Sequence, residues 1–177
     1  LIYMCSHEYT TEPMMFPDYD PENPTEEQVK IGWAGHGHTI LEVSKVGDTG
    51  ELKREFGPLN RRITATTPFT LVGPAKGSDL VKTSADQKGE KVLGTLNNCS
   101  GGVTPWNTML SGEENFDQYF AGGDIKDEKA AESLKRFGIK EGPSERKWEK
   151  YDDRFDVTKE PNEPNRFGWL VEINPLD

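Results

Sequence analysis

Short apolar segments separated by turn residues recur along most of this chain, and this rhythm restricts the fold more than any other feature. The alternating segment 39–46, the turn residues 47–50 and the returning segment 51–56 predict a β-hairpin. Further strands are predicted at 1–4, 91–96, 108–110 and 167–173. Glycine (18 residues) and proline (12) are plentiful and only 33% of the residues are hydrophobic. The pattern therefore predicts a mainly β fold.

Residues 117–160 interrupt this rhythm because they are rich in charge and partly helical in pattern. Apolar residues spaced i, i+4, i+7 predict a helix over 127–137. Trp148, Tyr151 and Phe155 predict a second short helix whose aromatic side chains belong to the core. We expect the whole region to be an inserted helical flap on a β scaffold.

The earlier part of the chain carries no pattern that we interpret as a helix. The stretch 13–27 holds four prolines and a run of acidic residues, which predicts a solvated surface loop. It lacks the spacing of a calcium-binding loop. We therefore expect no long helix before residue 110.

The stretch 96–116 concentrates residue types that bind metals and phosphates: Asn97, Asn98, Cys99, Glu113 and Glu114. The predicted strands at 91–96 and 108–110 would return the thiol and both carboxylates to one rim, with the glycine pair at 101–102 supplying positive φ values. Such a group is half of a plausible metal-ligand set. A lone cysteine is, however, more often a small buried hydrophobe, and the spacing matches none of the common zinc patterns.

Histidines provide other candidate ligands, each with a structural alternative. His7 and Glu8 end the first predicted strand, where they can bind a metal or be a partly exposed imidazole beside a solvated acid. His36 and His38 are spaced i, i+2, which on a strand places both on one face, as a metal pair requires. Both are also compatible with structural roles.

The charge balance restricts the possible partners. A formal net charge of −10 provides no basic face for nucleic acid or an anionic membrane, and no apolar run is long enough to span a bilayer. The adjacent pair Arg61–Arg62 can clamp a phosphate or neutralise nearby acids, and we favour the second role. An acidic protein suits an anionic phosphate ester only if bound cations reverse the local field. Cys5 and Cys99 are too few for a disulfide framework.

Several segments together resemble the PhoX family of secreted alkaline phosphatases. They are HEYT (7–10), NRRITATTP (60–68), LVGPA (71–75), GSDL (77–80), GTLNNCSGGVTPW (94–106), EENF (113–116) and RFGWLVEI (166–173). The long run that contains Cys99 is the most specific of them. The chain is much shorter than a full member of that family, so we expect it to be an N-terminal to middle fragment of one.

The resemblance implies that residues 1–177 form part of a β-propeller, with the flap at about 117–160 inserted in it. It also implies an alkaline phosphatase that hydrolyses phosphate monoesters at a mixed iron and calcium cluster. We expect a small phosphate ester as its substrate, a periplasmic or secreted location and a monomeric state. Because further ligands would lie outside these residues, we expect the fragment alone to be inactive.

Position by position, the resemblance assigns Cys99 and Glu114 to iron, and they are the residues on which catalysis depends. Glu113 and Glu8 are further carboxylate candidates for the metal cluster, and Asn97 and Asn98 would orient ligands or contact the phosphate. A soft thiolate selects iron, whereas hard carboxylates suit calcium and ferric iron. The alternatives are a calcium-dependent lactonase or esterase propeller, which needs no thiolate, and a propeller that binds a ligand without catalysis.

Overall fold

The computed structural model describes residues 1–177, and antiparallel sheets provide most of its regular structure. The strands are β1 (Ile2–His7), β2 (Gly37–Lys45), β3 (Leu52–Arg54), β4 (Arg61–Ile63), β5 (Pro68–Thr70), β6 (Lys91–Leu93), β7 (Asn98–Val103), β8 (Met109–Glu113) and β9 (Leu170–Ile173). The α-helices are α1 (Glu12–Met15), α2 (Glu26–Gly35) and α3 (Glu128–Phe137). Short 3₁₀ turns lie at Asp79–Val81, Phe116–Tyr119, Trp148–Lys150, Asp153–Phe155 and Glu163–Arg166. The prediction of a β-rich chain is confirmed.

The strands form three separate sheets. In the first, β2 pairs with β1 on one side and with both β3 and β4 on the other, so the predicted β2–β3 hairpin is confirmed. The second contains β5 and β6, and the third has the order β7-β8-β9. The third sheet joins residues that are distant in sequence, since Ser111 of β8 lies opposite Val171 of β9.

The prediction of one strand over 91–96 followed by a glycine loop is wrong in detail. Strand β6 ends at Leu93, because Gly94 has φ +87° and a Cβ there would lie 2.0 Å from the Ala65 carbonyl oxygen. The glycine pair at 101–102 does not have the expected positive φ values. The residue near Cys99 that has one is Asn97 (52°). Those glycines lie within β7, which contains a register shift after Asn98.

Helix α2 contradicts the expectation of no long helix before residue 110. It begins at a capping box, in which the Thr25 hydroxyl accepts from Gln28 N (3.2 Å) and the Gln28 side chain accepts from Thr25 N (2.9 Å). At the other end, the Arg62 guanidinium donates to the carbonyl oxygens of residues 34–36. The predicted loop 13–27 thus contains part of α1 and the start of α2.

Helix α3 is confirmed, with Asp127 as its N-cap and Gly138 in the left-handed conformation after its last residue.

The prediction of a second helix over Trp148 to Phe155 is wrong, because the chain forms two 3₁₀ turns there. The Asp152 side chain starts the second turn by accepting a hydrogen bond from the backbone N–H of Arg154. Trp148 and Phe155 nevertheless belong to the core, whereas Tyr151 is exposed, so the prediction that all three aromatic side chains are buried is only partly confirmed. Trp148 is 1% exposed and contacts the rings of several buried neighbours.

The main core is a cluster of thirteen buried side chains: Val29, Ala65, Leu71, Val81, Val92, Leu96, Tyr119, Phe120, Leu134, Trp148, Phe155, Val157 and Phe167. Many of them come from residues 117–160, so this region packs into the interior. A second cluster of four aliphatic side chains includes Ile40 of the first sheet and Val171 of the third. No helix in the structure combines the length and apolar composition needed to cross a bilayer.

Candidate metal centre

Three of the predicted ligands meet at one place on the protein. The ligand atoms of Glu8, Cys99 and Glu114 all lie within 4.8 Å of one another. Glu8 follows β1, Cys99 is the second residue of β7, and Glu114 follows β8. Glu8 is half-buried while the other two are exposed, so the group faces solvent and is accessible to a ligand.

The chain brings Cys99 and Glu114 together through the β7–β8 ladder. Asn98 lies opposite Glu113, and the backbone N–H of Glu114 donates to the Asn97 carbonyl oxygen (3.2 Å). Asn97 is in the left-handed conformation, which asparagine tolerates better than most residues. This turn directs the next residue but one, Cys99, toward Glu114.

Asn97 and Asn98 hold this turn from inside the protein. Both side chains are fully buried. The Asn97 side-chain oxygen accepts from Gln118 Nε2 (3.1 Å) and lies 3.0 Å from the Tyr119 hydroxyl, while Asn98 and Thr95 exchange hydrogen bonds through their side chains. The predicted contact with phosphate is therefore not open to these amides, because neither reaches the surface.

Glu113 lies outside the group, although sequence reasoning treated it as a ligand candidate. Its carboxylate accepts from the backbone N–H groups of Leu96 (3.0 Å) and Trp169 (3.2 Å). Burial raises the pKa of Glu113, and these hydrogen bonds to the charged form act in the opposite direction. The side chain thus fastens β8 to two neighbouring segments.

The electrostatics of the group favour a bound cation. A hydrogen bond to Glu114, and then the negative charges of Glu114 and Glu8, raise the pKa of the Cys99 thiol. The acids therefore oppose the thiolate that a metal ligand must become, and a cation among them removes this repulsion. One soft and two hard donors fit iron, or iron beside calcium, better than calcium alone.

His36 and His38 do not form the metal pair that their spacing allows, and both have structural contacts instead. His36 follows α2 and is fully buried, with Nδ1 donating to the Gly32 carbonyl (2.7 Å) and Nε2 2.8 Å from the Tyr119 hydroxyl. His38 lies within β2, where its ring contacts Ser6 (3.4 Å). They do not share a strand face because the chain enters β2 only at residue 37.

We expect His36 to make the protein less stable as the pH falls from about 6.5 to about 4. Burial lowers the pKa of His36 to about 4, so the unfolded chain takes up a proton in this window while the folded protein does not. The free energy of unfolding should fall by about 3 kcal/mol from this residue, at 1.36 kcal/mol per pKa unit. Denaturant titrations at several pH values would show a shallower decline for His36→Gln; equal declines would contradict the prediction.

Arg61 and Arg62 are occupied by backbone carbonyl groups. Arg61 donates to the oxygens of residues 59, 174 and 175, and Arg62 donates to those at the end of α2. Neither forms an ion pair, so the favoured role as neutralisers of acids is wrong. The guanidinium N–H groups of both residues already donate to these oxygens, so the two side chains do not form a paired clamp for phosphate.

Three residues that support the ligand group from the protein interior were not predicted from the sequence. Gln118, Tyr119 and Arg146 contact Asn97 directly or through one another. Arg146 is buried although it stands in a highly charged run, where nothing in the local pattern separates it from its exposed neighbours.

Two comparisons with known proteins give matches that cover almost the whole chain. A family model described as alkaline phosphatase PhoX matches residues 2–177. A solved structure, Pseudomonas fluorescens PhoX in complex with vanadate, a transition state analogue, is 38% identical to this chain with a TM-score of 0.87. The match covers 99% of this chain and 30% of that chain, so this chain spans about a third of its length. No curated protein matches.

Both matches fall in one class of protein, the alkaline phosphatases. Within that class, this chain belongs to the PhoX family. The resemblance predicted from the sequence is thereby confirmed.

Proposed function

We propose that this protein is a metal-dependent alkaline phosphatase that hydrolyses phosphate monoesters at a mixed iron and calcium cluster. The observation that carries the proposal is the convergence of Glu8, Cys99 and Glu114 from three separate segments. The family and the vanadate complex of the similar structure support it, because vanadate is described there as a transition state analogue.

The donor set suits such a cluster. Cys99 would select iron through its soft sulfur, and Glu114 and Glu8 would bind iron or calcium through hard oxygens. When bound, the metals would supply Lewis acidity, neutralise the substrate dianion and lower the pKa of a bound water.

The architecture and location form the wider part of the proposal. Three antiparallel sheets that succeed one another along the chain are consistent with part of a β-propeller, with residues 117–160 as an insertion. A monomeric state, a small phosphate ester as partner and a periplasmic or secreted location remain predictions from the family resemblance.

The test uses the intact protein, purified and analysed for iron and calcium. We expect hydrolysis of p-nitrophenyl phosphate that is lost on chelation and restored by iron and calcium together, but not by calcium alone. Recovery with calcium alone, together with hydrolysis of a lactone, would favour the lactonase. No hydrolysis with both metals present would favour a binding protein without catalysis.

A further inference from the structure

Backbone pairing sets the position of only two of the three candidate ligands. Cys99 and Glu114 are held together by the β7–β8 ladder and by the bond from Glu114 N to Asn97 O. Glu8 follows β1, which pairs with β2 in a different sheet. Strand β1 lies beside β7 without pairing with it, so the separation of Glu8 from the other two depends on packing and side-chain contacts rather than on a shared backbone ladder.

A line of partly buried hydrogen bonds runs from Asn97, two residues before Cys99, to the segment that follows Glu8. It begins at the Asn97 side-chain oxygen, which accepts from Gln118 Nε2 (3.1 Å). Gln118 Oε1 in turn accepts from Arg146 Nε (2.9 Å). Asn97 is fully buried and Arg146 is 8% exposed, while Gln118 between them is half-buried, so water has only partial access to these bonds.

The other end of Arg146 holds the segment that directly follows Glu8. Its Nη1 donates to the Thr10 carbonyl oxygen (2.8 Å) and to both carboxylate oxygens of Glu12 (2.8 and 2.9 Å). Its guanidinium also lies 5.6 Å from the centre of the Tyr9 ring. Residues 9–12 are thus fixed by the same side chain that holds Gln118.

We propose that Arg146 is a positioning residue that sets the distance of Glu8 from the Cys99–Glu114 pair, and thereby the affinity of the site for metal. This inference rests on the proposed function, because it requires that the group binds metal. The rigid fork of the guanidinium is necessary, since Nε and Nη1 donate in different directions. A lysine would keep a positive charge near Glu12 but could not also hold Gln118.

The test compares Arg146→Lys with Arg154→Lys in the intact protein. Arg154 is a matched control, because its guanidinium is also buried, pairs with a glutamate (Glu163, 3.4 Å) and donates to two backbone carbonyls. It touches none of the three ligands. The readout is the iron retained after dialysis against graded chelator concentrations, together with circular dichroism to verify folding.

We expect R146K to release its iron at a chelator concentration that is lower than the wild type requires by a factor of about ten or more. A loss of affinity of this size is usual when a residue that orients a metal ligand is removed. We expect R154K to retain iron as the wild type does. In a Glu8→Gln background, R146K should add little, because both changes act on one ligand. If R146K fails to fold, Gln118→Met provides the same test with the Arg146–Glu12 pair intact.

The outcomes separate this inference from the proposed function. A wild-type protein that holds no iron overturns both. Iron retention by R146K that equals wild type, or an equal loss in R146K and R154K, overturns only the positioning role. An undiminished effect of R146K in the E8Q background also overturns it, because the effect then does not act through Glu8.

Discussion

Cys99→Ala is expected to abolish iron binding and to lower kcat/KM for a phosphomonoester by about 10³-fold or more. The size follows from the several kcal/mol that a Lewis acid contributes to the transition state, at 1.36 kcal/mol per factor of ten. The Cys99 side chain is exposed, so its removal leaves no cavity and the fold should survive. Elemental analysis, circular dichroism and steady-state kinetics on one preparation would measure all three effects.

Cys5→Ala is the matched control for this experiment. Cys5 is the other free cysteine and lies in β1, with its sulfur 3.8 Å from His7 Nε2 and outside the ligand group. We expect this variant to keep its iron and activity. Normal iron content in Cys99→Ala would remove Cys99 from the site and would refute the proposed cluster.

Trp148→Ala is expected to lower the free energy of unfolding by about 4 kcal/mol, the usual cost of removing a buried aromatic side chain. The indole is 1% exposed, and its ring centre lies 4.6 Å from that of Tyr119 and 5.1 Å from those of Phe155 and His36. Such a loss is a large share of the stability of an ordinary domain. Denaturant midpoints would measure it.

Trp106→Ala provides the comparison for that experiment. The Trp106 side chain is 64% exposed, and its main contact is a hydrogen bond from the indole N–H to Glu172. We expect a change in stability of about 1 kcal/mol or less. Equal losses in the two tryptophan variants would show that the cluster around Trp148 is not the centre of the core.

Local patterns predicted the elements whose signals are local. The β2–β3 hairpin follows from alternation around a glycine turn, and α3 follows from apolar spacing that ends before Gly138. The meeting of Cys99 with Glu114 was also foreseeable, because two adjacent strands return their ends to one rim.

Other features were not predicted: one has a local signal that was missed, and the rest depend on contacts between distant residues. The capping box of α2 was present as Thr25 and Gln28, but surrounding prolines and acids concealed it. The commitment of Glu113 to Leu96 and Trp169 depends on a strand pair that forms only in the folded chain. The role of Arg146 likewise depends on its burial, which its charged neighbours in sequence do not indicate.

The left-handed turn at Asn97 affects how the protein can take up and lose ions. Gln118 and the backbone of Glu114 both form hydrogen bonds with Asn97, so protein groups contribute to holding this turn. Loading then requires little ordering of the main chain, which favours a preorganised site. Depletion and reloading of the site should accordingly leave the turn at Asn97 in place.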